Sequence, residues 1–327
     1  MPIPPRPILT PWSGAGRLRG RASAAEGRTV ATTPAILYRA PRRQRGVALV
    51  LVLWLVVLLT VVAGSHAYNA HVEVRLAENR VQLAKARAAA EAGVSRAILE
   101  LFNPFPAERW TPNGTPHGFQ IGEAAVSISV RDTAGLVDLN RASPALLRAI
   151  LVTLGLEEEA RDALVDAIQD WRDPDDLHRL NGAEDREYRL AGRPFEAKDA
   201  PFDSTHELRY VMGMRPGDFD RLAPYLTVHS GLAGINPAFA PAGLLAILPG
   251  ADPEAVEAYV AQRSTSGVGV SLAGLGGQQF FVGQESRIYL VSATATSPRG
   301  AAARVSAVVE RRVSGDASYV VREWREP

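Results

Sequence analysis

Eight carboxylates crowd residues 166–187: Asp166, Asp170, Asp173, Asp175, Asp176, Glu184, Asp185 and Glu187. Five of them fall within eleven residues around Pro174, and others follow the Asn181-Gly182 pair. Like charges packed this closely repel unless something positive lies among them. One answer is a hard cation, since calcium takes about six to eight oxygens from carboxylates, amides and backbone carbonyls. The other is a solvated acidic loop paired with Arg172, Arg179 and Arg186. The EF-hand spacing is absent, and the residues alone leave the two readings level.

Other chemistry is scarce. The 327 residues contain no Cys, which removes disulfides, thiolate zinc sites and a cysteine nucleophile. Only 6 His occur, without an H-E-x-x-H pattern. There is no G-x-S-x-G, P-loop or paired Ser/Lys signature. His206-Glu207 reads as a surface cap pair, and His66 and His71 lie at the border of an apolar run. Trp54 belongs to that run, and Trp171 reads as core. A non-enzymatic chain is expected.

The formal net charge is +1, which excludes a bulk-basic nucleic-acid protein. The balance hides segregation. Residues 1–46 hold nine Arg and one acid, Glu26, with scattered Pro and Gly, and read as a disordered basic leader. Seventeen residues without a charge follow, from Val47 to Ala63. At 1.5 Å per residue they span ~25 Å, and the softer stretch to Ala70 completes a bilayer core of ~30 Å. The Arg cluster before the span puts the N-terminus in the cytoplasm and the bulk of the chain in the periplasm, on a single pass through the bacterial inner membrane. No Pro occurs again until Pro104. One helix of about 50 residues is therefore expected, with an apolar stripe at Val74, Val81, Ala88, Ala92 and Ile98.

A basic leader, a Gly and a long half-apolar helix resemble the N-terminus of type IV pilin-like proteins. The resemblance implies cleavage by prepilin peptidase between Gly46 and Val47, and N-methylation of the new terminus. Most of that family carries Glu at the fifth mature position, where this chain has Leu51. The middle of the chain agrees: D-W-R-D-x-D-D at 170–176, N-G-A-E-D-x-x-Y at 181–188, and long matching stretches at 132–156, 200–214 and 235–248. These resemble the general secretion pathway protein K family, the large minor pseudopilins of type II secretion, over about 290 residues from Arg42. A leader of 46 residues is long for that family. Residues 1–38 show no pattern, which favours a mis-assigned start codon.

The resemblance implies a subunit at the tip of the periplasmic pseudopilus, needed to initiate pseudopilus assembly and for protein export across the outer membrane. Its implied partners are minor pseudopilins I and J, with the major pseudopilin below them. It also tilts the acidic cluster towards calcium, with Asp170, Asp173, Asp175, Asp176, Asn181, Glu184 and Asp185 as candidate ligands.

The expected fold is α+β. A transmembrane and stem helix (47–103) packs on a small antiparallel pilin-like sheet (104–131 and 285–327), interrupted by a large all-α insertion (132–284). Alternation marks a strand at 124–131, and strand signals separated by Ser-Pro-Arg-Gly and Ser-Gly-Asp turns mark three more at 287–296, 303–313 and 318–324. Within the insertion, caps and periodicity mark helices from Pro144 to Leu151, over 157–171, over 204–211 and over 216–222. Asn140, Pro144 and Gly155 are echoed by Asn236, Pro241 and Gly250. This weak repeat resembles two SAM-like or helix-hairpin-helix units, 132–230 and 231–284. Such units raise the alternative of a membrane-tethered DNA-binding protein of the uptake type. But Glu157, Glu158 and Glu159 follow Gly155 where phosphate would sit, and residues 132–229 hold 20 acids against 12 bases, a net of −8. A polyanion is repelled, so no nucleic-acid partner is expected.

Overall fold

In the computed structural model the described residues are 47–105, 108–266, 270–312 and 318–326. They fall into two compact units divided between Ser65 and His66. One helix, α1 (Val47–Leu101), runs through both as 55 unbroken residues. Its Ala-rich second half and lack of Pro favour that continuity. Its first part is long and apolar enough to cross a membrane, and the side chains from Val47 to Val62 are exposed.

In the second unit, residues 86–101 of α1 lie on an antiparallel sheet of order β1-β2-β5-β6-β7. The strands are β1 (Asn113–Ile121), β2 (Ala124–Asp132), β5 (Ile288–Thr296), β6 (Ala302–Arg311) and β7 (Tyr319–Arg325), with β3 (Val137–Asp138) and β4 (Leu226–Thr227) forming a separate parallel bridge. Period-2 patterning puts Val126, Ile128 and Val130 of β2 on the face covered by α1, with Val291 and Ala293 of β5 and Val305 and Ala307 of β6. The helix answers with Ala86, Ala89, Ala90, Val94, Ala97, Ile98 and Leu101. The buried seam therefore differs from the stripe expected at Val74, Val81, Ala88 and Ala92, all of which are exposed; of that stripe only Ile98 is buried. Small residues win the seam because the backbones approach closely: a Cβ on Gly93 would lie 3.0 Å from both Ala293 and Val126.

The four expected strands are present, and β1 adds a fifth. Pro116 and three Gly residues within or beside β1 erase its alternation.

The insertion leaves the sheet at Asp132 and returns at Ile288. Asp132 caps a 3₁₀ turn by accepting from Ala134 N–H (2.8 Å) and also accepts from Ser286 N–H (3.1 Å), so it pins exit to return. Both termini of the insertion sit at the end of the sheet where α1 stops. Lys85 reaches Glu123 at the opposite end, and Leu101 shares a cavity with Asn236.

Inside the insertion are α2 (Pro144–Leu151), α3 (Glu158–Arg172), α4 (Asp185–Leu190), α5 (Asp218–Leu222), α6 (Ala242–Ala246) and α7 (Pro253–Ser266). Ser143 caps α2, with Pro144 at its first position. Residues 205–210 form a 3₁₀ helix where an α-helix was expected. One continuous hydrophobic core runs from Val137 to Phe280 and serves both halves of the insertion. The echo between the halves is structural as well. Gly155 and Gly250 are both left-handed, at φ 64° and 77°. Arg172 at the end of α3 donates to the carbonyls of Leu139 and Ala142, and Arg263 on α7 donates to those of Pro237 and Ala240.

Candidate cation site in the first helical half

Three segments bring the acids together: the end of α3, the 173–184 loop running into α4, and the 196–199 loop. Each carboxylate has a distinct environment, and that separates them.

Asp170 is fully buried, and its oxygens are engaged. It accepts from the Arg179 guanidinium at 2.6 Å and from Ala183 N–H at 2.9 Å. Gly182 lies against it so closely that an added Cβ would fall 1.8 Å from Oδ2. That contact accounts for the Asn-Gly pair in the motif. Arg179 bridges onward to Asp173, as the solvated-loop reading expects of it. Arg172 instead spends its donors on backbone carbonyls, and Arg186 is exposed. Asp166 accepts from Asn181 N–H (3.2 Å) and Asp175 from Leu177 N–H (3.0 Å). Asp175, Asp176 and Asn181 are exposed.

The remaining acids are not satisfied. Asp173 Oδ1, both oxygens of Glu184, Asp185 Oδ1 and Asp199 Oδ1 are buried without a hydrogen-bond partner. Buried carboxylate oxygens are normally paired, so five orphans in one place call for an explanation. Burial pushes the Glu184 carboxyl up to about 8, with Asp170, Asp199, Asp173 and Asp176 adding to the shift. Asp199 is raised by burial and then by Asp185, Asp176 and Asp173. Among the described residues, no three such side chains close on a common point as a finished metal shell requires. The donor set nonetheless has the hard, anionic oxygens that calcium prefers.

Asp199 was absent from the expected ligands. It comes from a loop outside the counted cluster, and the structure marks it by a left-handed backbone on a non-glycine residue, φ 50°. Of the processing and assembly residues, Gly46 lies outside the described residues. Val47 begins α1, and Leu51 is exposed on it.

At the turn where a helix-hairpin-helix unit would meet phosphate, Gly155 leads into the exposed side chains of Glu157, Glu158 and Glu159, while Arg215 and Arg221 donate to the carbonyls of Thr153 and Leu154 beside it.

The family model described as type II secretion system, protein K, matches residues 129–231, and one described as PilX N-terminal matches residues 45–95. The type II secretion system protein K of Pseudomonas aeruginosa is 27% identical over 249 residues, covering 69% of this chain and 74% of that protein. A putative protein K of Escherichia coli is 26% identical, covering 57% and 62%. That of Aeromonas hydrophila is 29% identical, covering 57% and 63%. The fold matches a chain in the crystal structure of the GspK-GspI-GspJ complex from enterotoxigenic Escherichia coli, with a TM-score of 0.52 at 17% identity, over 79% of this chain and 99% of that one.

Proposed function

We propose, from the premise that this chain belongs to the type II secretion system protein K family, that it is the minor pseudopilin capping the tip of a pseudopilus. In that position it helps start assembly of the fibre and supports protein export across the outer membrane, as a structural component without enzymatic activity. The observation that carries this reading is the interruption of the sheet. More than half of the second unit leaves β2 at Asp132 and returns before β5, at the end of the sheet where α1 stops. A subunit stacked above would meet that bulk. Leu51 points the same way, because it offers no carboxylate to the amine of a subunit ahead.

The chain is held in the inner membrane by the first part of α1, N-terminus inward, after prepilin peptidase cuts between Gly46 and Val47 and the new terminus is methylated. Minor pseudopilins I and J are its neighbours, with the major pseudopilin beneath. The exposed Val74, Val81, Ala88 and Ala92 of α1 form a stripe that its own sheet leaves uncovered and that suits packing against neighbouring stems. The two halves of the insertion are related SAM-like units, an idea supported by the repeated left-handed Gly and the repeated arginine grip. Calcium is held among Asp173, Asp176, Glu184, Asp185 and Asp199, with Asp170 anchoring the loop through Arg179. Bound there, the ion would neutralise carboxylates that otherwise lack partners.

The test is co-purification. A periplasmic fragment beginning at Ala70 should associate with minor pseudopilins I and J of the same organism, and deleting the chain should lower secretion while leaving those proteins intact. A fragment that stays a monomer in their presence contradicts the tip reading.

A further inference from the structure

A second site lies away from the acidic loop. A cavity of about 770 Å³ opens where the end of α1, the sheet and the second half of the insertion meet. Its lining includes three arginines from three elements: Arg109 beside Trp110 in the α1–β1 connection, the buried Arg263 near Tyr259 on α7, and the exposed Arg311 at the end of β6. One carboxylate, Glu285, shares the lining.

Among the described residues the lining carries more positive than negative charge. Arg263 grips two carbonyls as Arg172 does in the first half. Burial lowers both guanidinium groups, opposed in part by Asp138 and Asp173 at Arg172 and by the Tyr259 side chain at Arg263. Arg263 is 7% exposed, its Nε has no partner, and its guanidinium lies over the Tyr259 ring at 5.6 Å. Among the described residues Arg109 donates to the carbonyl of Asn103 (2.7 Å), again a neutral partner. A buried cation without an anion is costly, and a carboxylate is the group that guanidinium pairs with best. The volume suits a short peptide segment, and the aromatic walls suit an apolar side chain within it.

We propose that this cavity binds an acidic segment of a partner polypeptide, through a carboxylate side chain flanked by an aromatic residue. A nucleic acid fits poorly, because the neighbouring residues 132–229 carry a net of −8. Such binding does not depend on the position of the chain in a fibre.

The experiment uses the full chain in detergent micelles and a fluorescein-labelled octapeptide of alternating Glu and Phe, read by anisotropy. The Glu-Phe peptide should bind at least tenfold more tightly than its Gln-Phe analogue, and added salt should weaken it. Arg311→Gln should reduce binding at least fivefold with the melting temperature unchanged, and Arg311→Lys should retain part of it. Arg311→Glu should prefer a Lys-Phe peptide over the Glu-Phe one. Equal binding of the Gln-Phe analogue, indifference to all three Arg311 variants, or full displacement by millimolar inorganic phosphate would overturn the proposal.

Discussion

At the level of single residues, two buried acids shape how the second unit responds to its solution. Glu184 keeps both carboxylate oxygens unpartnered at 5% exposure. Glu184→Gln should therefore raise the melting temperature without calcium and shrink the rise that calcium brings. For a ligand at a hundredfold excess over its Kd, that rise corresponds to ~2.7 kcal/mol. Asp199→Ala should shrink it too, while Asp175→Ala should leave it intact, because Asp175 is exposed and caps Leu177. Scanning calorimetry with calcium and with EGTA separates the three variants. Equal calcium shifts in all three, or none in the unaltered protein, would leave only a solvated acidic loop. Asp132 gives a pH dependence. Burial pushes its carboxyl up to about 6, partly opposed by its bonds to Ser286 and Ala134. A raised acid binds its proton more tightly in the folded state. Its contribution is thus full below about pH 4, is lost as pH rises through 6, and totals roughly 3 kcal/mol. Asp132→Asn should flatten that part of the stability profile relative to the unaltered protein. Parallel urea-unfolding profiles between pH 4 and 7 would contradict it.

Among the elements, the close approach of α1 to the sheet rests on Gly93 and its alanine neighbours. Gly93→Val must displace Val126 or Ala293, and overpacking of this kind costs about 1–3 kcal/mol. Gly64→Val has open space around it and serves as the control. Chemical denaturation of both should show a lowered midpoint for Gly93→Val alone. The same elements show what a sequence can and cannot convey. Strands β2 and β5 were legible because one face is buried and the other is not, so hydrophobicity alternates, and β6 and β7 through their β-branched residues and the turns that bound them. Helices α2 and α3 were legible through Ser143-Pro144 and the inward set from Leu164 to Trp171. Strand β1 was not, since an edge strand with Pro and Gly owes its place to its partner β2. The acidic cluster was legible as composition. Which acids face Arg179 and which remain orphaned depends on the fold of the loop around Asp170, and Asp199 arrives from outside the cluster. The cavity at Arg109, Arg263 and Arg311 left no local pattern, because its three arginines are more than 150 residues apart along the chain at their furthest.

In the molecule as a whole, the chain joins an apolar helix, a small sheet and a helical insertion whose two halves share one core. In the proposed function the helix anchors the chain and packs against its neighbours. The sheet supports that helix, and the insertion ends the fibre and holds the ion. All three roles presuppose that the chain is matured as a pilin-like protein. Mass spectrometry of the N-terminus, on protein purified from native membranes, tests that without intermediaries. The expected result is a chain beginning at an N-methylated Val47, and an uncleaved precursor when Gly46→Ala is introduced. An intact terminus upstream of Arg42, or a cut near Ser65, would contradict it.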